Sequence, residues 1–427
     1  MKTLLKNARI LKMTTDPIFI GDCIVDGNKI SYLGPSKSYK EKFDRIIDCE
    51  KNLLMPSFKN AHAHSAMTFL RSHADDLSLQ DWLFDEVFPY EARLTGEDIY
   101  WLSMLAFLEY LTSGITAAYD MYFFPPMLKK AAEDFGFREN ILLMLSEDSG
   151  IGEDTILDLM KSNSPDALVN FSFGMHSEYT ADEKTLSRAK AFIESNHLPF
   201  YTHLSETERE VSECKERRGG QTPAEFFDSE GFWNYGGGAY HCCYMTENDL
   251  EIFKKRDLTV VTCPGSNTKL ASGVAEIEKM REKSIELAIG TDGPASNNCL
   301  DMFREMFLTA GLQKLLRKDP VATPAYEILK MATVGGAHAM GLENADILEE
   351  GKLADLILID LSRPNMRPLQ NISKNLVFSG SKENVKMTMI NGKILYENGV
   401  FSTPISPETI YAKCEEITAR IFSEPKN

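Results

Sequence analysis

Short apolar runs alternate with longer helical patterns along the middle of the chain, as in repeated βα units. Eight such runs occur, at residues 57–64, 115–122, 141–147, 169–176, 199–206, 237–243, 258–264 and 285–292. Between the first two, apolar residues recur at helical spacing over 97–113, and Gly114 follows as a C-cap. Eight strand-like runs separated by helices favour an α/β fold of the closed (β/α)8 TIM-barrel type over a doubly wound sheet.

The two ends of the chain show a different pattern, in which short strands are separated by tight turns. Residues 3–12 and 22–32 have strand character, and the second segment folds around Asp26-Gly27-Asn28, a favourable hairpin turn. A similar pattern returns near residue 350, with an apolar run at 355–361 and a hairpin that turns at Asn391-Gly392. We predict that residues 1–55 and 350–427 share one small β-sandwich, and that residues 56–349 form the barrel.

Composition and charge narrow the classes of partner. The chain has 427 residues, of which 43% are hydrophobic and 26% charged, which is ordinary for a globular protein with a large core. The net charge of −17 disfavours nucleic acid and anionic lipid, which carry the same sign, and favours a small molecule. We find no signal peptide and no apolar stretch of about 20 residues, so we predict a cytoplasmic protein without membrane contact. The sequence does not decide whether the protein forms a homo-oligomer.

The eight cysteines have no regular spacing and no C-x-x-C pair, which indicates reduced thiols and not a disulfide framework or a cysteine zinc site. The histidines are more informative, because catalytic groups of this fold gather at the C-terminal ends of the strands. Five of the eight histidines fall there, and they are His62, His64, His176, His203 and His241. The other three are His73, His197 and His338.

Spacing within this set predicts a metal site. His62 and His64 are two residues apart on a predicted strand, so both side chains point to one side and can ligate one ion together. His203 lies near the end of the fifth run and Asp292 ends the eighth. Three imidazoles and one carboxylate suit Zn²⁺ with a position left for water, and Fe²⁺ or Mn²⁺ are the alternatives.

Four segments resemble the amidohydrolase superfamily in their order and separation, namely MPSFKNAHAH at 55–64, HLSE at 203–206, AYHC at 239–242 and GTDGPASNN at 290–298. More narrowly, FLRSHADDLSLQDWL at 69–83 and PYEARL at 89–94 resemble the 5-methylthioadenosine/S-adenosylhomocysteine deaminases. The similarity covers nearly the whole chain. It implies hydrolytic deamination of an adenine nucleoside to the inosine analogue and ammonia. It also implies the metal ligands His62, His64, His203 and Asp292, with Glu206 and His241 completing the reaction centre.

The chemistry of the side chains agrees with these implied roles. A bound metal lowers the pKa of its water toward about 7, and Asp292 can take the proton that is released. Glu206 follows His203 by three residues and is expected to carry a proton to ring N1 of adenine, while His241 hydrogen-bonds the attacking oxygen. Members of the superfamily with two metals usually bridge them with a lysine on the fourth strand, and the run 169–176 contains none. One ion per chain is therefore expected.

The resemblance also implies a substrate pocket. Glu91 is expected to bind the ribose hydroxyls, because a carboxylate can accept two hydrogen bonds at once. Trp82 either walls this pocket or packs in the core, and His176 either faces the substrate or is a buried histidine bonded to a backbone carbonyl. Ser296 either reaches the substrate or shapes its loop.

Two departures from the family pattern bear on the substrate. Ser57 stands where the family usually has glycine, which alters the entry to the first strand but leaves the ligands intact. No arginine occurs over 139–187, where members that deaminate S-adenosylhomocysteine supply arginines to its carboxylate. The acids Glu147, Asp148, Glu153 and Asp154 stand there instead. We therefore expect adenosine, 5′-deoxyadenosine or 5′-methylthioadenosine to be preferred over S-adenosylhomocysteine.

Two other functions stay open from the sequence. A similar one-metal centre could deaminate a free base or a pterin, or hydrolyse a triazine substituent, although Glu91 favours a substrate with a sugar. A catalytically silent barrel that serves as a scaffold is the second alternative. The complete set of ligands, together with Glu206 and His241, argues against it.

Overall fold

The computed structural model describes residues 1–145 and 151–423. The strands within these ranges are β1 (Lys2–Ile10), β2 (Phe19–Asp26), β3 (Lys29–Gly34), β4 (Arg45–Asp48), β5 (Leu53–Pro56), β6 (Phe58–Ala63), β7 (Ile115–Asp120), β8 (Arg138–Met144), β9 (Val169–Gly174), β10 (Phe200–Leu204), β11 (Gly237–His241), β12 (Thr259–Thr262), β13 (Glu286–Ile289), β14 (Leu356–Ile359), β15 (Val385–Ile390), β16 (Lys393–Glu397) and β17 (Val400–Phe401).

The α-helices are α1 (Leu79–Asp81), α2 (Phe88–Glu91), α3 (Gly96–Thr112), α4 (Pro125–Phe135), α5 (Glu153–Met160), α6 (Glu183–Asn196), α7 (Glu208–Arg217), α8 (Pro223–Ser229), α9 (Glu247–Arg256), α10 (Pro264–Lys269), α11 (Ile277–Glu282), α12 (Met302–Arg317), α13 (Ala325–Lys330), α14 (Gly336–Ala339), α15 (Ile372–Phe378) and α16 (Pro407–Ser423). Short 3₁₀ or π-helical turns cover Ser65–Leu70, Trp82–Val87, Met331–Gly335, Glu343–Ala345, Pro364–Met366 and Lys382–Asn384. None of the helices in the described ranges is long and apolar enough to cross a membrane.

Strands β6 to β13 form one parallel sheet in which each strand pairs with the next along the chain. The sheet curls into a nearly closed barrel, and its first and last strands meet where the Asp292 backbone N–H donates to the His62 carbonyl over 3.0 Å. Seven of the eight runs predicted from the sequence contain one of these strands, and the third, 141–147, overlaps the end of β8, so the predicted barrel is confirmed. The last two residues of the third run, 146 and 147, lie outside the described residues.

The local sequence explains how these units form. Every residue of β7 is buried, as is typical of a parallel strand covered on both faces. Helix α3 begins with a capping box, in which the side chains of Thr95 and Asp98 each accept a hydrogen bond from the other's backbone N–H group. It ends just before Gly114, which adopts φ 76° and so allows the chain to turn into β7, as the sequence predicted.

The interior of the barrel is packed with side chains and is not an open channel. Bulky tyrosines lie against small alanines in one cluster, as expected where residues from neighbouring strands fill a common layer. The tyrosines are Tyr119, Tyr201 and Tyr240, and the alanines include Ala61, Ala117 and Ala288. The histidines at the strand ends lie on this layer of packed side chains.

The remaining strands form one nine-stranded mixed sheet in the order β17-β16-β15-β14-β5-β1-β2-β3, with β4 paired to β1. Strands β5 and β14 pair antiparallel at its centre, so the first and last parts of the chain share one β unit, as predicted. The hairpins also turn where expected, at Gly27 with φ 63° and at Gly392 with φ 75°.

The two units are joined by buried and partly buried contacts. Arg138 of the barrel and Asp355 of the mixed sheet form a fully buried ion pair, with 2.6 Å between Nε and Oδ2. Helix α16 leaves the sheet and packs on α3, where Cys414 Sγ lies 3.3 Å from the Trp101 carbonyl oxygen. The C-terminal segment therefore contacts both units. The domain boundaries 1–55, 56–349 and 350–427 stay a prediction.

Candidate active site

The structure gathers the predicted site residues at the C-terminal ends of the barrel strands. His62 lies in β6 and His64 directly follows it, His203 lies in β10, and Asp292 follows β13 by three residues. Their donor atoms face one another. His62 Nε2 is 3.0 Å from His203 Nε2, and His64 Nε2 is 3.3 Å both from His203 Nε2 and from Asp292 Oδ1.

These separations match the chemistry of one divalent ion. Around a tetrahedral Zn²⁺ with bonds of about 2.0–2.1 Å, neighbouring ligand atoms lie roughly 3.3 Å apart. The separations of 3.0 and 3.3 Å agree with that value, and the separation from His62 Nε2 to Asp292 Oδ1 is somewhat longer, at 3.7 Å. Three imidazoles and a carboxylate therefore fit a single metal.

Hydrogen bonds at the opposite ring nitrogens orient two of the imidazoles. His64 Nδ1 lies 2.6 Å from the Met121 carbonyl oxygen, and His203 Nδ1 lies 2.8 Å from the His176 carbonyl oxygen. Donation to a carbonyl places the proton on Nδ1 and leaves the Nε2 lone pair free for an ion. The backbone of His176 thus helps to orient His203.

The carboxylate of Asp292 is fixed as firmly as the rings. The Gly293 backbone N–H donates to Oδ1 over 2.7 Å, and the Ser296 hydroxyl donates to Oδ2 over 2.8 Å. Ser296 lies behind Asp292 and is not among the residues that line the pocket. The structure therefore favours the second of its two predicted roles, the shaping of the loop.

Burial and neighbouring charges set the protonation of this group. Burial lowers the pKa of both His62 and His203 well below its ordinary value, which favours the neutral form that can bind a metal. Burial by itself would raise the pKa of Asp292, but the imidazoles of His64 and His241 outweigh it and hold that pKa below its ordinary value.

Glu206 and His241 face each other beside the four donor groups, with 3.7 Å between Oε2 and Nε2. The Ser272 hydroxyl donates to Glu206 Oε1 over 2.8 Å, and His241 Nδ1 lies 2.7 Å from Asn267 Oδ1. Burial raises the pKa of Glu206. For His241, burial opposes the charged form, but the carboxylates of Glu206 and Asp292 outweigh it and raise the pKa. Both shifts favour the protonated form of the pair.

The strand ends that carry these groups have unusual backbone angles. Ser205, His241 and Asp292 adopt φ of 50°, 68° and 60°, values that residues other than glycine rarely take. Beside Ser205, the carboxylate of Glu210 accepts the backbone N–H groups of Ser205 and Glu206, each over 2.7 Å. Such conformations cluster at functional sites, where surrounding contacts compensate for the strain.

A pocket opens over this centre. It is lined by His64, His203, Glu206, His241 and Asp292, and also by Trp82, Glu91 and His176, of which Trp82 packs in the hydrophobic core as well. Apolar side chains cover much of the remainder, among them Met67, Leu83, Phe88, Phe123, Met144 and Leu270. No lysine or arginine occurs among the described residues that line it.

Among the described residues that line the pocket, Glu91 is the one acid that comes from a helix, α2, and does not follow a barrel strand. It is 7% exposed, and its Oε1 accepts the Tyr122 hydroxyl over 2.5 Å. Burial raises the pKa of Glu91 to about 7. The pocket thus combines apolar side chains with a few polar groups, namely a buried carboxylate and groups that can transfer a proton, as is typical of small-molecule sites.

The sequence of this chain matches a known protein family. The model of the amidohydrolase family matches residues 53–395. The chain belongs to this family.

Close relatives agree with that assignment. This amidohydrolase is 36% identical over 425 residues to the 5-methylthioadenosine/S-adenosylhomocysteine deaminase of Caldanaerobacter subterraneus subsp. tengcongensis, covering 97% of this chain and 98% of that one. It is also 36% identical to the 5′-deoxyadenosine deaminase of Methanosarcina acetivorans, covering 92% and 93%. The solved structure of an adenosine deaminase from Xanthomonas campestris with bound zinc superposes with a TM-score of 0.91 at 29% identity, covering 99% of each chain.

The amidohydrolase site also contains residues that the sequence did not reveal. Asn267, Ser272 and Tyr122 each hold one of the predicted side chains. Asn267 lies at the end of Pro264-Gly-Ser-Asn267, just after β12, so its position at a strand end was a usable signal. Tyr122 carried the same signal, because it ends the second strand-like run, whereas Ser272 carried none, because its partner Glu206 lies 66 positions away in the chain.

Among the described residues, the acids that stand where relatives have arginines do not line the pocket. Glu153 forms an ion pair with Arg188, with 2.9 Å between Oε1 and Nη2, and Asp154 is exposed. Neither is among the pocket-lining residues. Glu147 and Asp148 lie outside the described residues. Repulsion of a substrate carboxylate by Glu153 is therefore not supported.

Proposed function

We propose that this amidohydrolase deaminates an adenine nucleoside, with one divalent ion, Zn²⁺, held by His62, His64, His203 and Asp292. The observation that carries the proposal is the arrangement of the pocket. Three of the four proposed ligands line the pocket together with the Glu206–His241 pair, the fourth, His62, lies 3.0 Å from His203, and the buried carboxylate of Glu91 lines the same pocket. The names of the relatives, which act on adenine nucleosides, support it.

In the proposed reaction, water adds at C6 of the purine, the bond from C6 to the exocyclic nitrogen breaks, and that nitrogen leaves as ammonia. A metal ion at the four ligands would supply activated water at neutral pH. The zinc-bound relative and the donor set support zinc over Fe²⁺ or Mn²⁺.

The protein's own groups move the protons. Asp292 accepts a proton from the attacking water, since its carboxylate stays ionised beside the imidazoles. Glu206 has a raised pKa and can carry a proton, which it gives to ring N1 so that C6 becomes electrophilic. His241 donates a hydrogen bond to the attacking oxygen and is kept in place by Asn267.

The pocket wall binds the rest of the nucleoside. Glu91 accepts hydrogen bonds from the ribose hydroxyls, while Tyr122 fixes one oxygen of its carboxylate. Trp82 and the neighbouring Phe88 give an apolar wall, and His176 faces the substrate beside His203, with ring centroids 4.5 Å apart.

We further propose that short, uncharged 5′-groups are preferred. A carboxylate on the substrate needs a charge-assisted partner, and the described pocket lining offers neither lysine nor arginine. Adenosine, 5′-deoxyadenosine and 5′-methylthioadenosine do not need that partner, whereas S-adenosylhomocysteine does.

Ammonia release under one buffer condition tests both parts of the proposal. The panel contains these four nucleosides with adenine and guanine as free-base controls, and elemental analysis of the same preparation counts the ions. We expect one ion per chain, a kcat/KM at least tenfold higher for a nucleoside than for free adenine, and a lower kcat/KM for S-adenosylhomocysteine. A faster reaction with a free base, or two ions per chain, would contradict the proposal. A preference for S-adenosylhomocysteine would contradict only the specificity.

A further inference from the structure

His62 differs from the other site histidines in how its ring is held. The second ring nitrogens of His64, His203 and His241 each lie within 2.6–2.8 Å of an oxygen. His62 Nδ1 is buried and has no hydrogen-bond partner among the described residues. A hydrogen bond at that nitrogen normally fixes the tautomer and the orientation of a metal-binding histidine. Another contact must therefore orient this ring.

The ring of Tyr240 makes that contact. Its centroid lies 3.8 Å from the centroid of His62, and the two planes are 21° apart, so the rings are stacked face to face. The contacts of His62 with the other site histidines are all edge-on. Stacking restricts the imidazole to one plane, in which its Nε2 faces His203 at 3.0 Å.

Tyr240 is itself held firmly enough to act in this way. Its ring is fully buried in the barrel interior, and Tyr119 contacts it edge-on with 6.2 Å between centroids. At the end of β11, the Cys242 backbone N–H donates to the Tyr240 carbonyl over 3.0 Å, around His241 with its φ of 68°. Through this tight turn, consecutive residues present one ring to His62 and the next to Glu206.

We propose that Tyr240 is a positioning residue that orients His62 for metal binding by stacking, in place of the missing hydrogen bond at Nδ1. This inference rests on the proposed function, in which His62 is a metal ligand. The hydroxyl of Tyr240 has no hydrogen-bond partner among the described residues, so the face of the ring makes the contact and the hydroxyl does not.

The test is the rate at which the zinc-loaded enzyme loses Zn²⁺ to a coloured chelator, with thermal unfolding as a check on folding. Tyr240→Leu removes the aromatic face, and we expect zinc loss to be about tenfold faster or more, the size typical of groups that orient metal ligands. Tyr240→Phe keeps the face, and we expect a rate within about twofold of the parent enzyme. Phe173→Leu is the matched control, because it also replaces a buried aromatic of a barrel strand by leucine, and the ring contact of Phe173 is with Phe192 and not with Tyr240 or a histidine.

Each result decides between stacking and its alternatives. Zinc loss from Tyr240→Leu no faster than from Phe173→Leu would overturn the inference, because the effect would then be general to the core. Equally fast loss from Tyr240→Phe would also overturn it, because the hydroxyl would then be responsible. If Tyr240→Leu does not fold, Tyr240→Met is judged by the same criterion.

His62→Ala separates this inference from the proposed function. If that variant holds zinc as tightly as the parent enzyme, His62 is not a ligand and the proposed metal site is wrong. If it loses zinc while Tyr240→Leu does not, only the positioning role of Tyr240 is wrong.

Discussion

The two parts of the pocket take their side chains from different kinds of element. At the catalytic end, Asp292 and Glu206 emerge from strand ends and are fixed by hydrogen bonds from Ser296 and Ser272. On the wall, Trp82 and Glu91 come from short helical turns between β6 and α3 and are surrounded mainly by apolar side chains. In the proposed function, the strand ends carry the groups for chemistry, and the connection after the first barrel strand carries the groups for binding. Substitutions at the first should lower kcat, and substitutions at the second should raise KM.

The largest effect is expected for Asp292→Asn. The amide keeps the size of the side chain but cannot accept the proton of water, so kcat should fall about 10³-fold. The measurement is steady-state kinetics on 5′-methylthioadenosine, together with the metal content of the variant. Turnover close to that of the parent enzyme with the metal retained would show that Asp292 is not the proton acceptor.

Glu206→Gln should have the next largest effect, a fall in kcat of about 100-fold or more, because glutamine preserves the contact with Ser272 but cannot transfer a proton. Metal content and thermal unfolding should match those of the parent enzyme. Ser272→Ala serves as the control, since it removes only the hydroxyl that orients Glu206, and a smaller fall is expected. A loss confined to KM would place Glu206 with the binding wall and remove the contrast between the two parts.

On the wall, Glu91→Ala should raise KM for nucleosides by about 10- to 100-fold, as expected for the loss of hydrogen bonds to a charged group worth about 1.5–3 kcal/mol. Free adenine has no ribose hydroxyls, so its kinetics should change little. Tyr122→Phe is the matched control, because it removes only the hydroxyl that orients Glu91. Equal losses for adenine and adenosine would show that Glu91 does not bind the sugar.

The smallest effect is a dependence of KM on pH. Burial raises the pKa of Glu91 to about 7, so the carboxyl is protonated below that pH and ionised above it. Because the ionised form accepts hydrogen bonds from ribose better, KM for nucleosides should fall by up to about tenfold as the pH rises from 6 to 8. Glu91→Gln should abolish this dependence. A profile of the same slope in the variant would assign it to another group.

The same contrast explains what the sequence could predict. His62 and His64 were found because a spacing of two on a strand has one geometric meaning, and the barrel places strand ends together. The residues that orient these groups escaped prediction. Met121 acts through its backbone carbonyl, and Ser272 reaches Glu206 across 66 positions of the chain. The packing of α16 on α3 was missed for the same reason, since it depends on contacts between distant segments and not on local pattern.

The pairing of β5 with β14 has a consequence for how the protein is made. Leu53 begins β5 and Leu356 begins β14, so roughly 300 residues must leave the ribosome before the central pair of the mixed sheet can form. All the proposed metal ligands have been synthesised by residue 292, well before that point. A nascent chain that ends between residues 292 and 356 therefore carries all the proposed metal ligands, while β5 does not yet have β14 to pair with. Unpaired strand edges favour association between chains, so the edge of β5 that later pairs with β14 is open to such association until residue 359 has been synthesised.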